Sequence, residues 1–340
     1  MREYPFITAM IVVRNEEKYI GKCFRSLLEQ NYPSNKYEVL LIDGLSEDKT
    51  LTVAMETEKN YAYRKTNNGT SKISVRYIEN PKKILAAGWN IGIKEAKGEY
   101  VVRIDAHGYA EKDFILRSVE TILKVSDAIC VGGTINTEPI SEKGRIIADV
   151  LSSPFGVGNS KFRYSQKEQY VDTVAFGLYK KSIFSKVGYF DETLKRNQDN
   201  DMHRRIREYG GKFYLNPEIK STYHPRETVG SMIKQGFQNG KWNIITFKKN
   251  KNSLSIRHLV PLFFVVGISS LSILGFWFKP FWMLLSFILS LYLILAITFA
   301  LLKSKKINHV LIMPILFLLF HLSYGLGSIT SIMNLGGSIK

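Results

Sequence analysis

The chain has 340 residues, 45% of them hydrophobic, and a formal net charge of +17. This length is too great for one small domain and fits one large domain with an appendage. No Arg-rich arm, zinc pattern or RNA-binding aromatic signature accompanies the positive charge, so no nucleic-acid partner is expected. Basic residues instead gather beside apolar segments, which favours a membrane surface: Lys248, Lys249, Lys251, Arg257, Lys303, Lys305 and Lys306.

Strands and helices alternate in the first half of the chain. Short apolar runs predict strands, and runs with helical periodicity lie between them. This alternation indicates crossover units and a mostly parallel, Rossmann-like α/β sheet, whose ligands bind at the carboxyl ends of strands. The predicted strands are 7–13, 38–42, 73–78, 99–104, 128–132 and 171–179. One helix is predicted to begin near Ile20, and four more are predicted at about 84–96 (capped by Gly98), 112–124, 197–209 and 228–247.

Residues 134–170 show no regular pattern. The two cysteines, Cys23 and Cys130, fall in segments typical of core structure, so buried free thiols are expected rather than a disulfide. The N-terminus lacks the apolar stretch of a signal peptide, and we therefore expect a cytoplasmic N-terminal domain.

Three apolar stretches follow, at 259–278, 281–302 and 310–333, without a single Asp, Glu, Lys or Arg. Each is long enough to cross a hydrocarbon core roughly 30 Å thick. The first two are separated only by Lys279-Pro280 and predict a hairpin with its basic flanks in the cytoplasm. The third would cross back or be re-entrant, and its glycines leave both possibilities open. The predicted division is a cytoplasmic domain at 1–247, a basic juxtamembrane linker at 248–258 and a transmembrane region at 259–333.

Two polar loops follow adjacent predicted strands. Arg14-Asn15-Glu16-Glu17 follows the first, and the segment from Asp43 to Thr50 follows the second. Asp43 can accept hydrogen bonds from a uracil or ribose, and Ser46 and Asp48 can cap the next helix. Either loop alone fits a simple turn with a cap. Together, at neighbouring strand ends, they indicate nucleotide binding.

A second constellation is Arg103-Ile104-Asp105-Ala106-His107. Asp105 and His107, two residues apart, can turn toward one ion. A carboxylate with an imidazole suits Mn²⁺ or Mg²⁺ held mainly by a pyrophosphate. A surface turn with the same residues is the alternative.

Acidic residues open the predicted helix at 197–209. Asp199 and Asp201 stabilise a helix start, or one of them removes a proton from an acceptor hydroxyl. His224, before a proline, is either a third metal or phosphate ligand or a core residue. Lys241 and Trp242 could bind a diphosphate and a sugar face, or belong to an interfacial amphipathic helix with a Trp anchor.

In this order the motifs resemble the family 2 glycosyltransferases of the GT-A fold, from about Ile7 to Trp242. The most specific piece is VVRNEEKYIGKCFRSLLEQNYP followed by EVLLIDGLSEDKT. The stretch that ends in the family's metal motif has its counterpart in NPKKILAAGWNIGIKEAKGEYVVRIDAH. The family's acceptor loop and catalytic-base segment have theirs in FGLYKKSIFSKVGYFDETLKRNQDND. Within the family, the chain most resembles bacterial exopolysaccharide enzymes of the succinoglycan-synthesis type, because of PFGVGNSKFRY and the Q-x-x-K-W ending.

The resemblance implies roles for the matching positions. Asp199 would be the catalytic base, and Asp105 and His107 would stand at the family's D-x-D pair, with His224 as a further metal ligand. The nucleotide sugar would be bound by Arg14, Asn15, Glu16, Asp43, Asn90, Arg103 and Asp105. The acceptor or diphosphate would be bound by Asp201, Gln235, Gln238, Lys241 and Trp242.

Three positions depart from the family pattern. His107 replaces the second Asp, which leaves the choice of metal open. Gln198 replaces an acidic neighbour of the base, and the loss of one like charge should leave Asp199 more readily ionised. Lys241 stands where many membrane members have Arg and cannot form the same bidentate fork.

The sequence therefore predicts an inverting, metal-dependent transfer from a nucleotide sugar, with a UDP-sugar expected, to a lipid-linked saccharide in cell-surface or exopolysaccharide synthesis. One rival is a synthase that loads one sugar onto polyprenyl phosphate. A processive polymer synthase is disfavoured by the small number of apolar stretches. A rival of another class is a catalytically inactive membrane protein that binds nucleotide sugars.

Overall fold

The computed structural model describes residues 4–66, 69–139, 141–158, 160–225, 227–251 and 256–334. The chain forms two compact units, one of residues 1–136 and 161–223 and the other of residues 137–160 and 224–340. This division does not follow the predicted boundary at residue 247. The second unit includes 137–160 because the apolar residues of that segment pack in the same core as the C-terminal helices.

The first unit is built on a mixed sheet. In the part of the chain that the structure describes, nine strands form it, in the order β5-β2-β1-β6-β10-β8-β11-β7 with β9 beside β11. Strands β5, β2, β1 and β6 are parallel, as predicted, and β10 runs antiparallel to β6. The strands are β1 Ile7–Val13, β2 Tyr37–Asp43, β3 Tyr63–Thr66, β4 Gly69–Lys72, β5 Ser74–Glu79, β6 Tyr100–Asp105, β7 Gly108–Ala110, β8 Ala128–Thr137, β9 Gln169–Val171, β10 Ala175–Lys180 and β11 Lys212–Tyr223.

The helices largely match their predicted positions, but α5 and α6 lie in the region without a regular pattern. The β3–β4 hairpin was also not predicted. The helices are α1 Ile20–Leu28, α2 Thr50–Tyr61, α3 Leu85–Glu95, α4 Phe114–Lys124, α5 Glu142–Leu151, α6 Pro154–Val157, α7 Ile183–Val187, α8 Gln198–Glu208, α9 Val229–Lys249, α10 Ile256–Gly275, α11 Pro280–Lys303 and α12 Ile307–Met333.

Strand β1 is buried on both faces, as the uninterrupted apolar run ITAMIVV requires. Ile11 and Val13 face the cluster that contains Phe24 of α1. Met10 and Val12 face the opposite cluster. Cys23 and Cys130 are buried free thiols, as predicted. The central strand is therefore held rigidly, and the loops at its carboxyl end start from a fixed position.

Gly133 of β8 provides a stability test of this sheet. A Cβ atom there would lie 1.5 Å from the carbonyl oxygen of Ile219 in β11, so the strands would have to separate. We expect Gly133→Ala to cost about 3 kcal/mol and to lower the melting temperature by roughly 6–12 °C in a thermal scan. Gly230→Ala, on α9 with no atom within 4 Å of the new methyl group, is the control. Equal melting temperatures for the two variants would contradict the described strand packing.

Among its described residues, the second unit contains three helices long and apolar enough to cross a membrane: His258–Gly275 within α10, and the whole of α11 and α12. Each begins slightly earlier than its predicted stretch. The Phe155 ring of α6 packs between α11 and α12. Its centroid lies 5.5 Å from the ring centroid of Phe299 and 5.0 Å from that of Phe317. The PFG segment is thus part of the helical unit. Two of the glycines that leave a re-entrant third stretch possible, Gly336 and Gly337, lie outside the described residues.

Candidate functional site

The carboxyl ends of three neighbouring strands bring the predicted acidic positions to one edge of the sheet. Asp43 ends β2 and pairs with Val13 of β1. Asp105 ends β6 and pairs with Val12, on the other side of β1. Since neighbouring strands are about 4.8 Å apart, the two aspartates lie roughly 10 Å from each other.

Hydrogen bonds join the loop after β1 to the loop after β2. The Asn15 backbone N–H donates to Ser46 Oγ at 3.0 Å, and Asn15 Oδ1 accepts from the Glu47 backbone N–H at 2.9 Å. The Glu16 backbone N–H donates to Thr50 Oγ1 at 2.8 Å. Asn15 has a φ of 54°, which asparagine tolerates better than most residues. The Asn15 side chain thus holds the two loops together.

Asp43 shapes its own loop. Its buried carboxylate accepts from the Ser46 backbone N–H at 2.9 Å and from Ser46 Oγ at 2.6 Å. Ser46 therefore bridges the loops rather than capping α2, whereas Asp48 Oδ1 accepts from the backbone N–H of Thr50 at 2.9 Å. Arg14 remains partly exposed, 3.9 Å from Glu47.

Arg103 and Asp199 form the central ion pair of the site. The Arg103 guanidinium is buried, donates through Nη1 to Asp199 Oδ1, and lies 5.2 Å from the Trp89 ring centroid and 5.5 Å from that of Phe190. Desolvation in the cleft raises the pKa of Asp199, but the charge and hydrogen bond of Arg103 outweigh it and hold the pKa below its ordinary value. The Asp199 side chain is 43% exposed, so its carboxylate is both ionised and open to a ligand.

Asp105 belongs to the same charged cluster. Burial raises its pKa, and the negative charges of Asp199 and Glu16 raise it further, while His107 and Arg103 oppose the shift. His107 Nδ1 lies 3.8 Å from Glu16 Oε1. The structure thus brings five of the predicted site residues together at the carboxyl ends of β1 and β6.

This cluster fits a partial shell for a divalent cation. Within the described ranges, no three His, Cys, Asp or Glu side chains converge as a complete metal site. Asp105 and His107 offer a carboxylate and an imidazole, and a cation would offset the carboxylate charges that raise the pKa of Asp105. Such a shell suits an ion whose remaining ligands come from a diphosphate and water. His224 belongs to the second unit, where its Nδ1 lies 3.1 Å from the Glu138 carbonyl oxygen, and its metal role stays a prediction.

Two predicted ligands are occupied by structural contacts. Asn90 Nδ2 donates to the Phe190 carbonyl oxygen and to Glu192 Oε1, both at 2.9 Å, and Asn90 Oδ1 accepts from the Phe190 backbone N–H. Asp201 is buried and paired with Arg204 at 3.2 Å and Arg205 at 2.9 Å. These contacts favour a positioning role for Asn90, which holds Phe190 over Arg103, and the helix-stabilising alternative for Asp201.

The other four predicted acceptor residues lie on α9 in the second unit. At 100° per residue, Gln235, Gln238 and Trp242 share one side of the helix and Lys241 lies next to Gln238. All four are partly exposed. Gln235 Oε1 is a buried oxygen without a hydrogen-bond partner among the described residues. These four side chains lie on a different side of α9 from Gly236 and Gly240, which pack on α12.

The sequence analysis missed a buried polar chain beneath Asp199. His203, one turn along α8, lies between Thr173 Oγ1 at 2.7 Å and Tyr179 OH at 2.6 Å. Burial lowers the pKa of His203 to about 3, so the imidazole is neutral. The spacing of Asp199 and His203 by four residues was the available signal, because such residues share a helix face.

Arg103→Lys tests whether the ion pair positions the base. A lysine keeps the charge but loses the planar guanidinium that donates to Asp199 and lies near the Trp89 and Phe190 rings, so we expect a loss of about 1.5–3 kcal/mol, a roughly 10–100-fold lower turnover. Turnover in membranes would be compared with that of Arg117→Lys, a surface pair with Glu120 on α4. Wild-type turnover in Arg103→Lys would exclude the positioning role.

The mixed sheet, with acidic residues at the carboxyl ends of its parallel strands, is that of a GT-A fold. The family model described as "Glycosyl transferase family 2" matches residues 8–188, and the chain belongs to this family.

Relatives and a solved structure agree with this assignment. The chain is 31% identical, over 94% of its length and 95% of the relative, to a dolichyl N-acetyl-alpha-D-glucosaminyl phosphate 3-beta-D-2,3-diacetamido-2,3-dideoxy-beta-D-glucuronosyltransferase of Methanococcus voltae. It is 27% identical to the succinoglycan biosynthesis protein ExoA of Rhizobium meliloti (strain 1021), over 76% of each chain. The mannosyltransferase PcManGT of Pyrobaculum calidifontis, solved with GDP-Man and Mn²⁺, shares the fold. Its TM-score is 0.63 at 16% identity, covering 95% of this chain and 88% of that one.

Proposed function

We propose that this chain transfers a sugar from a UDP-sugar to a lipid-linked saccharide by a single inverting displacement. The observation that carries the proposal is the ionised, partly exposed Asp199, held by Arg103 beside Asp105 at the carboxyl end of the parallel strands. The family supplies the reaction class, since its members are transferases.

Asp199 has the properties of the base for the acceptor hydroxyl. Its pKa lies below the ordinary value, so the carboxylate is free of a proton at neutral pH and can take one. Arg103 fixes its orientation through Oδ1, while the side chain as a whole stays partly exposed to an acceptor. Positioned proton transfer of this kind contributes typically ~10²–10⁴-fold to a rate.

The donor would lie across the ends of β2, β1 and β6. Asp43 and Arg14 would contact the nucleoside, with Asn15 and Glu16 shaping that loop, and Asp105 and His107 would hold Mn²⁺ or Mg²⁺ together with the diphosphate. When bound, such a cation stabilises the charge that develops on the leaving diphosphate. The positive charge of Arg103, paired with Asp199, would offset the repulsion between that carboxylate and the negatively charged diphosphate.

A lipid-linked acceptor is supported by the relative from Methanococcus voltae, whose name specifies a dolichyl N-acetylglucosaminyl phosphate acceptor. Three helices apolar enough to cross a membrane would keep the enzyme beside such a lipid. Gln235, Gln238, Lys241 and Trp242 are the proposed contacts for the acceptor or its diphosphate. The basic residues before α10 and after α11 support a cytoplasmic catalytic domain.

A donor and acceptor screen on the purified full-length protein tests this proposal. UDP-sugars and GDP-mannose would be offered with Mn²⁺ or Mg²⁺, and nucleotide release measured with polyprenyl-linked N-acetylglucosamine, with polyprenyl phosphate alone, and without acceptor. We expect release from a UDP-sugar that requires the saccharide-bearing lipid. Release with bare polyprenyl phosphate alone would identify the rival synthase. Nucleotide binding without release in any arm would identify an inactive binding protein.

A further inference from the structure

Helix α12 exposes one continuous apolar stripe. Leu311 is 65% exposed, Ile315 60%, Leu326 50% and Met333 75%. The spacings of four, eleven and seven residues place all four on one helix face. A face of this kind requires an apolar partner, and over this length it fits lipid acyl chains.

The opposite face of α12 is buried, and it is covered by α5 and α9 of the same unit, two helices that carry charged residues on their other sides. Near its start, His309 is buried between Glu142 at 3.0 Å and Asp149 at 3.2 Å, both on α5. Lys306, just before α12, pairs with the same Glu142 at 2.7 Å. The first turns of α12 are therefore fixed to a helix with a charged surface.

Helix α9 covers the second half of α12 at very short range. A methyl group on Gly240 would lie 1.9 Å from the Tyr324 carbonyl oxygen, and one on Gly327 would lie 2.0 Å from that of Phe237. Asn243 donates to the Tyr324 hydroxyl. The two backbones touch, so α9 and α12 must occupy the same depth.

Helix α9 is polar on the side turned away from α12. Gly236 and Gly240 face α12, and at 100° per residue Lys234, Gln238 and Lys241 lie on the far side. Lys234 is exposed, and the other two are partly exposed. The pair α9–α12 thus has one apolar face and one polar face along its length.

These contacts conflict with a membrane crossing by α12. From His309 to Ser328, 19 residues or about 28 Å of helix, it is accompanied by α5 or α9, and 28 Å is nearly the whole hydrocarbon thickness. A crossing would carry their lysines and carboxylates into the bilayer, where each charge near the centre is strongly unfavourable. Half of the most apolar part of α12 is buried in protein, compared with 22% for that of α10 and 17% for that of α11.

We infer that α12 lies in the membrane–water interface, with its apolar stripe on the lipid and its opposite face packed on α5 and α9, whose charged sides face the water. Only α10 and α11 then cross the bilayer. The amphipathic pair fits the known behaviour of helices that lie in the interface plane. Both ends of α12 are consequently on the side of the membrane that holds the α11–α12 connection.

Single cysteines test this topology. Cys23 and Cys130 are buried, so Lys279→Cys in the α10–α11 hairpin, Lys305→Cys before α12 and Asn334→Cys after it would carry the accessible thiols. A membrane-impermeant maleimide would be applied to intact expressing cells and again after permeabilisation. We expect Asn334→Cys to react like Lys305→Cys, and Lys279→Cys to react oppositely. Labelling of Asn334→Cys together with Lys279→Cys would overturn the inference. The comparison depends neither on the proposed reaction nor on which side faces the cytoplasm.

Depth measurements provide a second test if a variant is poorly labelled. Nitroxides at Leu311→Cys, Leu318→Cys and Leu326→Cys, in reconstituted vesicles, would be compared by their accessibility to oxygen and to a water-soluble nickel complex. An interfacial helix gives similar depths at all three positions. A crossing helix makes Leu318 the deepest by roughly 10 Å, at 1.5 Å per residue, and this result would refute the interfacial placement.

Discussion

Asp199→Asn is expected to lower sugar transfer by ~10²–10⁴-fold while nucleotide binding stays within about twofold of wild type. The asparagine has nearly the same shape but cannot take a proton from the acceptor. Donor contacts are proposed for Asp43, Arg14 and Asp105, which the substitution leaves in place. Transfer would be followed as glycosylated lipid, and binding by titration of the nucleotide into the purified full-length protein.

Two controls separate chemistry from folding in this experiment. Asp127→Asn removes an exposed carboxylate that pairs with Lys212 in the same unit and should leave transfer unchanged. Since Asp199→Asn leaves the buried Arg103 charge unpaired, a thermal scan must show that the variant still folds. Wild-type transfer in Asp199→Asn would place the base elsewhere, and parallel loss of nucleotide binding would make Asp199 a donor ligand.

The sequence predicted the parts of the site that lie at strand ends. Strand β1 was predicted with its observed bounds because an apolar run buried on both faces has few alternatives. Once β1 lies between β2 and β6, Asp43 and Asp105 must meet at the same edge. The fold class followed from this alternation, and the order of the antiparallel strands did not, because their pairing is non-local.

Other residues had polar or backbone partners that a single sequence does not reveal. Asn90 and Asp201 resembled ligands, yet their polar groups are used by the 190–192 turn and by two arginines. Gly98 was predicted as a helix cap. It instead lies against β1, where a methyl group would be 2.5 Å from the Thr8 backbone nitrogen. The roles of Asn90 and Gly98 depend on contacts between distant segments, whereas Asp201 pairs with two arginines one turn along its own helix.

The irregular region illustrates the same limit. Helices α5 and α6 are short, and the apolar residues of α5, such as Ile147 and Val150, find their partners on α12, more than 150 residues later. Periodicity over ten residues was too brief to predict them. Conversely, apolar length alone left open whether the third stretch crosses the membrane or is re-entrant, because the charged helices that cover α12 come from other parts of the chain.

Asp105→Asn should weaken the binding of the metal on which transfer depends. Loss of a carboxylate ligand costs several kcal/mol of stabilisation of the leaving diphosphate, a decrease on the order of 10²–10³-fold in turnover. The concentration of Mn²⁺ that gives half-maximal activity should rise at least tenfold, since a neutral amide oxygen is the weaker ligand. Turnover would be measured across a Mn²⁺ titration at saturating donor, after removal of bound metal with a chelator.

A readout independent of activity distinguishes loss of the ion from loss of the fold. Mn²⁺ with UDP should raise the melting temperature of the wild-type protein, because a ligand that binds only the folded state stabilises it. The same addition should leave Asp105→Asn nearly unchanged. Without metal, the variant should melt no lower than wild type, since it removes a carboxylate placed beside Asp199 and Glu16. Asp113→Asn, at a half-buried aspartate that accepts from Asn31, should behave as wild type in both measurements. An undiminished thermal response of Asp105→Asn to Mn²⁺ with UDP would assign the ion to other residues.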